Sequence, residues 1–255
     1  MIIAIDIGNT NIVIGGFKDN NILFRERVST NQTATDLEYA VTIKTALEVH
    51  GFRQDDVKGA VLSSVVPPVT NTFKRAVEKC FGVKPLVVRP GVKNGLSILI
   101  DNPKQLGSDL VVDAVAGINE YSVPLIIIDM GTATTYSVID GKRNYIGGLI
   151  TTGMAVATDA LVSKTSQLPR FSFDLPKNII GTNTVDCLKS GILYSNAAGM
   201  DGIIQRIEDE LGEKCTAVAT GGLAGLVVPL CKRKIILDED LLLKGLMLIY
   251  QKNNP

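Results

Sequence analysis

Two short stretches of the sequence repeat one arrangement of an aspartate, a glycine and neutral polar side chains. They are Asp6-Ile7-Gly8-Asn9-Thr10 and Asp129-Met130-Gly131-Thr132-Ala133-Thr134. The glycine lets the backbone turn closely enough for N–H groups to face a phosphate, and the amide and hydroxyl side chains add neutral donors. Phosphates would repel the carboxylates, so we expect Asp6 and Asp129 to bind the cation that accompanies ATP, directly or through water.

A third segment, Thr220-Gly221-Gly222, follows a predicted strand and opens a predicted helix. Its two glycines would let a flat ligand such as adenosine lie against the backbone. The alternative interpretations are a pair of ordinary hairpin turns with capping aspartates and a tight strand-to-helix turn. Because the aspartate turns occur twice in equivalent positions, a nucleotide site is the better interpretation. It is not a P-loop or Rossmann site, since the sequence has no GxxxxGK[ST] loop and no GxGxxG turn.

The candidate catalytic carboxylate is Asp109, at the end of the segment NPKQLGSD (102–109). It lies at the start of an apolar-periodic helix near the middle of the chain, where a carboxylate can orient an acceptor hydroxyl and take its proton. On spacing alone, an N-cap at Ser108 or Asp109 is the better interpretation. Both roles are compatible if Ser108 caps the helix and Asp109 points into a cleft.

Two other polar segments have a structural interpretation beside a functional one. Residues 147–153 (GGLITTG) end a predicted strand and open a helix, so they either position a substrate or form a packed turn. Residues 181–184 (GTNT) precede a long predicted helix, and an N-cap at Thr184 is the better interpretation there.

The composition excludes several classes of protein. Lys plus Arg and Asp plus Glu each total 26 of 255 residues, so no basic surplus predicts a nucleic acid or membrane partner. No apolar run reaches the ~18 residues of a membrane helix, and the first residues predict a buried strand instead of a secretory signal. Four cysteines without a CxxC pair and a single histidine, His50, exclude a zinc site and a Ser-His-Asp triad. We expect a cytoplasmic protein with reduced cysteines in its core.

The first helix of the N-terminal half is predicted from a capping box formed by Thr35 and Glu38. Leu37, Val41 and Leu47 fall on one face of this helix and are expected to pack on the core.

The elements that would carry the functional segments occur twice along the chain. Each copy has the order strand, hairpin, helix, strand, helix. The strand Ala60-Val61-Leu62-Ser63-Ser64 corresponds in character to Ala217-Val218-Ala219-Thr220-Gly221. This repetition predicts an α/β fold of two similar domains, residues 1–118 and 119–255, which face each other across a central cleft.

Seven ordered motifs together resemble the type III pantothenate kinase family, of the sugar kinase, heat-shock ATPase and actin superfold. They are DIGNTN at 6–11, SSVVPP at 63–68, NPKQLGSD at 102–109, DMGTATT at 129–135, GGLITTG at 147–153, GTNT at 181–184 and TGG at 220–222. The resemblance covers essentially the whole chain. It implies two duplicated actin-like ATPase domains of the ribonuclease H-like kind.

The resemblance also implies an activity, ATP-dependent phosphorylation of pantothenate to 4'-phosphopantothenate, which is the first step towards coenzyme A. It implies a homodimer, ATP bound with Mg²⁺, a monovalent cation (potassium or ammonium) at Asp129, and Asp109 as the proton acceptor. The implied ATP contacts are Asp6, Ile7, Gly8, Asn9, Thr10, Asn11, Ile12, Val13 and Thr132. The implied substrate contacts are Gly107, Ser108, Asp109, Leu110 and Thr184.

The sequence departs from the family pattern at three positions. Leu110 stands where the family has Arg, Ile100 where it usually has Tyr, and Thr152 where it usually has Pro. The first two belong to the substrate side, and the missing Arg would remove a charge-assisted contact worth about 1.5–3 kcal/mol. The alternative is a nucleotide-binding relative with a different acceptor or a regulatory role, although the retained Asp109 argues against complete loss of catalysis.

Overall fold

The computed structural model describes residues 1–254, and its first β-sheet is built from five strands. The strands are β1 (Ile2–Ile7), β2 (Asn11–Lys18), β3 (Asn21–Ser29), β4 (Gly59–Ser64) and β5 (Leu86–Val87), in the order β3-β2-β1-β4-β5. The hairpin strands β1, β2 and β3 are antiparallel, whereas β4 and β5 run parallel to β1. Strand β1 is central, and its consecutive residues Ile3, Ala4 and Ile5 are 0% exposed, so both faces of this apolar strand are covered.

The second sheet repeats this plan. Its strands are β6 (Ser97–Ile98), β7 (Leu125–Met130), β8 (Ala133–Ile139), β9 (Asn144–Thr152), β10 (Thr216–Thr220) and β11 (Ile236–Leu237). Their order is β11-β10-β7-β8-β9-β6, with β7 antiparallel to β8 and parallel to β10. Apart from the added β6, order and direction match the first sheet, which confirms the predicted duplicated fold.

The register also confirms the correspondence between the repeated strands. Asp6 on β1 lies opposite Ser63 on β4, and Asp129 on β7 lies opposite Thr220 on β10. Ser63 and Thr220 are both buried. Each aspartate therefore ends a central strand beside a buried hydroxyl residue on the parallel neighbour.

Seven helices accompany the sheets within the described residues. They are α1 (Asp36–Val49), α2 (Pro67–Phe81), α3 (Ser108–Glu120), α4 (Met154–Ser163), α5 (Thr184–Leu211), α6 (Ala224–Val227) and α7 (Leu241–Asn253). In the first half, α1 and α2 cover an apolar core that includes Ile5, Ile43 and Phe73. In the second half, α5 covers a separate core around Ile128 and Ala197. Among residues 1–254 no helix has the length and apolar character needed to cross a membrane.

The chain divides into two compact units that do not follow a single cut. The first contains Met1–Leu96, Asp101–Ala116 and the residues from Leu241 onward, and the second contains Ser97–Ile100 and Gly117–Asp240. Helix α7 belongs to the first unit because it packs on β1 and β4. The predicted division at 118/119 assigned this helix to the other domain.

Helix α1 begins at the predicted capping box but turns a different face to the core. Thr35 and Glu38 exchange the two hydrogen bonds of the box. Leu37 and Val41, however, are 60% and 55% exposed, so the predicted core role is wrong for both. Tyr39 sets the orientation, because its ring packs on Phe73 with centroids 4.8 Å apart. The buried residues are Tyr39, Ala40, Ile43, Ala46 and Leu47.

The four cysteines are free and differ in burial. Cys187 is exposed, and Cys80, Cys215 and Cys231 are half-buried. The predicted core position is therefore wrong for Cys187, whereas the other three pack against the edges of the two cores. Cys187 follows the first turn of α5, where a side chain outside the buried face meets solvent.

A buried carboxylate ties the end of α5 to the start of β10. Glu208 is 3% exposed and pairs with Arg233 and with Lys214, whose Nζ is 2.8 Å from Oε2. The backbone amide of Cys215 also donates to it, at 3.1 Å. Burial raises the pKa of Glu208, but these three donors outweigh that effect and lower the pKa from its ordinary 4.5 to about 2.

We expect Glu208→Gln to destabilise the fold by about 1.5–3 kcal/mol, because a buried neutral amide loses the charge-assisted hydrogen bonds from Arg233 and Lys214. Since the folded pKa lies below the unfolded one, the stabilisation is complete above pH 4.5 and is lost as the pH falls towards 2. Urea unfolding followed by circular dichroism at several pH values measures both effects. The exposed Glu210 on the same helix provides the control, Glu210→Gln. Equal stability of the two variants at pH 7 would contradict the prediction.

Candidate active site

The first predicted phosphate turn joins β1 to β2 and is braced from β3. The Gly8 amide donates to the Asn11 carbonyl at 3.0 Å and closes the turn. Thr30 holds the turn from the side, since its hydroxyl donates to the Gly8 carbonyl at 2.7 Å and its amide to the Thr10 carbonyl at 2.9 Å. The Gly8 amide is therefore used within the turn, and a phosphate would meet the exposed tip formed by Asn9 and Thr10.

The other residues of the predicted ATP segment divide by burial. Ile7 and Ile12 are 0% exposed and belong to the hydrophobic core, so only their backbone is available to a ligand. Asp6, Asn11 and Val13 are half-buried. The sequence pattern could not separate these cases, because every residue of the segment belongs to one motif.

The second turn joins β7 to β8 and is closed one residue tighter. The Gly131 amide donates to the Ala133 carbonyl at 3.0 Å, and Thr132 is exposed at the tip. Gly153, the last residue of GGLITTG, donates to the Thr132 carbonyl at 3.2 Å. A Cβ at Gly153 would lie 2.3 Å from the carbonyl oxygen of Thr132, so only glycine fits. Of the two interpretations of GGLITTG, the geometry supports the packed turn at this glycine.

Gly221 brings the end of β10 against the end of β7. Its φ is +93°, and a Cβ there would lie 2.5 Å from Oδ1 of Asp129 and 2.7 Å from the backbone N and C of Met130. The face of Gly221 that was predicted to accept adenosine thus meets the Asp129 carboxylate. Gly222 is the exposed member of the pair.

The surroundings of Asp129 fit a bound cation. Thr135 lies opposite Asp129 on β8, so their side chains share one face of the sheet. The hydroxyl of Thr135 is buried and has no hydrogen-bond partner within the described residues, and the same holds for Thr134, which lies opposite Met130 and faces the other side of the sheet. A buried hydroxyl without a partner is costly unless an ion or ligand satisfies it, and hydroxyl and carboxylate oxygens suit hard cations. Among residues 1–254 no three His, Cys, Asp or Glu side chains converge on a metal position.

Asp109 lies at the start of α3 with its carboxylate folded back over Gly107. Oδ1 accepts a hydrogen bond from the Leu110 amide at 2.9 Å. A Cβ at Gly107 would lie 2.4 Å from the same oxygen, so this glycine provides the space that the carboxylate occupies. Burial raises the pKa of Asp109 above its ordinary value, and the hydrogen bonds from the amides of Leu110 and Asp109 itself oppose that shift only in part. A raised pKa makes the carboxylate a stronger base.

Neither Ser108 nor Asp109 is the N-cap, so the capping interpretation is wrong for both. Ser108 is the first residue of α3, and the Gly107 carbonyl accepts the first helical bond, from the Val111 amide at 3.2 Å. Gly107 therefore occupies the cap position. The Ser108 hydroxyl instead contacts β4, where it lies 3.0 Å from Ser63 Oγ and 3.1 Å from the Ser64 carbonyl oxygen.

The remaining predicted substrate residues lie on separate elements. Thr184 is the exposed first residue of α5, and Asn183 caps the helix instead, because its side chain accepts from the Asp186 amide at 2.9 Å. The predicted cap at Thr184 was therefore wrong by one residue. Leu110 is half-buried in the first turn of α3, in the first unit, and Ile100 is half-buried after β6, in the second. Asp6 and Asp109 thus belong to the first unit, while Asp129, Thr132 and Gly221 belong to the second.

Sequence reasoning missed three supporting residues. Thr30 and Gly153 brace the two turns, and Ser63 contacts Ser108. The motifs SSVVPP and GGLITTG contain two of them and were the available signal. Thr30 gave none, because a single threonine at the end of a strand has no distinguishing pattern.

Comparisons with known proteins agree with these motifs. The family model for type III pantothenate kinase matches residues 2–206. Two similar curated proteins, from Bacillus cytotoxicus and Halalkalibacterium halodurans, are named type III pantothenate kinase. They are 44% and 42% identical over 253 residues, which is 99% of this chain and 97% and 100% of theirs. A solved structure assigned to the Baf family of transcriptional activators, from Campylobacter jejuni, has a TM-score of 0.60. It is 18% identical, and 99% of this chain and 98% of that chain are covered, which shows a shared fold.

Proposed function

The chain belongs to the type III pantothenate kinase family, and we propose that Asp109 is the group that accepts the proton of the pantothenate hydroxyl. The family reaction is the ATP-dependent phosphorylation of pantothenate, the first step of coenzyme A biosynthesis, and ATP is used with Mg²⁺. The half-buried carboxylate of Asp109 at the start of α3 carries the proposal, because the space over Gly107 and the Leu110 amide hold it in place and its raised pKa suits a general base.

In the proposed reaction the pantothenate hydroxyl lies against Asp109. A carboxylate oxygen takes the hydroxyl proton as the hydroxyl oxygen bonds to the γ-phosphorus, and the bond from that phosphorus to the β-phosphate oxygen breaks to release ADP. The exposed tips at Asn9, Thr10 and Thr132 would bind the phosphates through amide and hydroxyl donors. Mg²⁺ offsets phosphate charge when bound, and Asp6 would hold it through water.

A monovalent cation, potassium or ammonium, would bind at Asp129. The buried hydroxyl of Thr135 supports this assignment, since Thr135 lies opposite Asp129 on the neighbouring strand. Gly222 would lie near the adenosine, because it is the exposed member of its glycine pair. We also propose a homodimer with pantothenate and ATP as ligands. A cytoplasmic location is supported by the use of ATP and by the four free cysteines.

An ADP-release assay with pantothenate, pantetheine and no acceptor, with and without potassium, tests the reaction and the cation together. Pantothenate-dependent release that requires potassium is the expected result. Release only with pantetheine would favour a changed acceptor, which Leu110 and Ile100 had suggested. Full-length identity of 42–44% to proteins named type III pantothenate kinase does not favour that alternative.

Leu110→Arg is expected to lower KM for pantothenate by roughly tenfold to hundredfold, with kcat and the KM for ATP nearly unchanged. A guanidinium at the start of α3 would pair with the substrate carboxylate in ground and transition states alike, and such a contact changes KM alone. Steady-state kinetics on wild type, Leu110→Arg and the uncharged control Leu110→Met measures the effect. Because neighbouring substitutions are often non-additive, Ile100→Tyr is combined with Leu110→Arg in a further variant. An unchanged KM in both Arg variants would contradict the prediction.

A further inference from the structure

The hydroxyls of Ser63 and Ser108 join the end of β4 to the start of α3. Ser63 is 0% exposed, and its Oγ lies 3.0 Å from Ser108 Oγ. Ser108 Oγ is also 3.1 Å from the Ser64 carbonyl oxygen and 3.3 Å from the Ser64 amide. A hydroxyl has one hydrogen and two acceptor sites. Ser108 therefore donates to the Ser64 carbonyl and accepts from the Ser64 amide, so Ser63 is the donor to Ser108.

This contact links two functional segments within the first unit. Ser63 is in register with Asp6 on β1, and the Val65 amide donates to the Ile7 carbonyl at 3.1 Å. At the other end Ser108 immediately precedes Asp109. The Asp109 carboxylate accepts from the Leu110 amide of its own helix, so it moves with the start of α3. The position of the carboxylate relative to the first phosphate turn thus depends on where α3 meets β4.

We propose that Ser63 is a positioning residue, which holds Asp109 at its working distance from the first phosphate turn through the Ser63–Ser108 hydrogen bond. The inference rests on the proposed role of Asp109. Reacting groups must be held within about 0.5 Å of the productive geometry, and a displacement of about 1 Å can cost roughly a hundredfold in rate. Without the Ser63 hydroxyl, Ser108 keeps only its hydrogen bonds to the Ser64 backbone, so the start of α3 is less firmly held against β4.

The test is a double-mutant cycle on the full-length enzyme with Ser63→Ala, Ser108→Ala and the double variant. We expect Ser63→Ala to lower kcat about tenfold to hundredfold, with KM for ATP and pantothenate within about threefold of wild type. The double variant should lose no more than the worse single variant, because the two hydroxyls act as one unit. Ser137→Ala is the matched control, since Ser137 is also buried on a strand and lies 3.3 Å from another hydroxyl, that of Tyr145.

Thermal unfolding and ATP binding, measured on the same variants, distinguish a displaced Asp109 from a misfolded protein. Ser63→Ala and Ser137→Ala should lose similar stability, but only Ser63→Ala should lose kcat. Wild-type kcat in Ser63→Ala, losses that multiply in the double variant, or an equal kcat loss in Ser137→Ala would each overturn the inference. Asp109→Asn is assayed in parallel. If Asp109→Asn keeps wild-type turnover, the proposed role of Asp109 fails and the inference fails with it. If Asp109→Asn loses turnover but Ser63→Ala keeps it, the inference alone fails.

Discussion

Asp109→Asn should reduce pantothenate-dependent ADP release by roughly 10²–10⁴-fold, the usual cost of losing a general base. An amide has the size of the carboxylate but cannot take the hydroxyl proton. Affinity for ATP should stay nearly unchanged, because Asp109 lies at the start of α3 and the phosphate turns lie on the hairpins. Single-turnover phosphoryl transfer and calorimetric titration with ATP measure the two quantities separately.

The exposed carboxylate of Asp55, in the same unit, provides the matched control, Asp55→Asn, which should keep full turnover. A second readout is the pH dependence of wild type. The base works in its ionised form and burial raises its pKa, so kcat should fall on acidification at a higher pH than an ordinary aspartate would cause. Near wild-type turnover in Asp109→Asn would show that the residue only satisfies the Leu110 amide.

The duplicated fold could be predicted from the sequence because its signals are local. A buried strand that ends in an aspartate and a glycine turn can be recognised within ten residues, and the chain contains two such segments, around Asp6 and Asp129. Correspondence between the strands that contain Ser63 and Thr220 followed from the same short patterns, and the register agrees with it.

Contacts between distant parts of the chain could not be predicted in this way. Ser63 and Ser108 are 45 positions apart, and no pattern in either segment indicates that their hydroxyls meet. Gly221 was interpreted as a ligand contact, and its close approach to Asp129 was not predicted. A glycine at the end of a strand suits a ligand and close backbone packing equally well, so the sequence does not distinguish the two. Helix α7 was assigned by sequence order, although its apolar face packs on the first sheet.

Helix α1 shows a different reason why prediction from the sequence fails. Its start was predicted correctly, because a capping box is a contact between residues three apart. Its buried face was not, because two apolar stripes were available and tertiary packing of Tyr39 on Phe73 decided between them. The capping errors at Ser108 and Thr184 have a similar cause, since several polar residues stood at each helix start and tertiary contacts or local geometry chose among them.

The close approach of Gly221 to Asp129 leads to the second large expected effect. We expect Gly221→Ala to reduce potassium-dependent turnover by about a hundredfold or more, as Asp129→Ala should. A methyl group at Gly221 would lie 2.5 Å from the Asp129 carboxylate and 2.7 Å from the backbone of Met130. The φ of +93° disfavours any side chain there, so the end of β7 or of β10 must shift and move the proposed cation ligand.

Gly225→Ala is the matched control four residues further along. Gly225 lies in α6, and a Cβ there would meet its nearest neighbour, Glu239 Oε1, at an ordinary 3.6 Å. It should therefore keep both its turnover and its response to potassium.

The measurement is kcat as a function of potassium concentration, with sodium replacing potassium to keep ionic strength constant. Because Asp129 is the proposed ligand, Asp129→Ala and Gly221→Ala should both lose the potassium response as well as rate. Wild-type activity in sodium-only buffer would count against a bound potassium or ammonium ion at Asp129. A Gly221→Ala variant with the wild-type potassium response would show that the contact between Gly221 and Asp129 does not position the cation ligand.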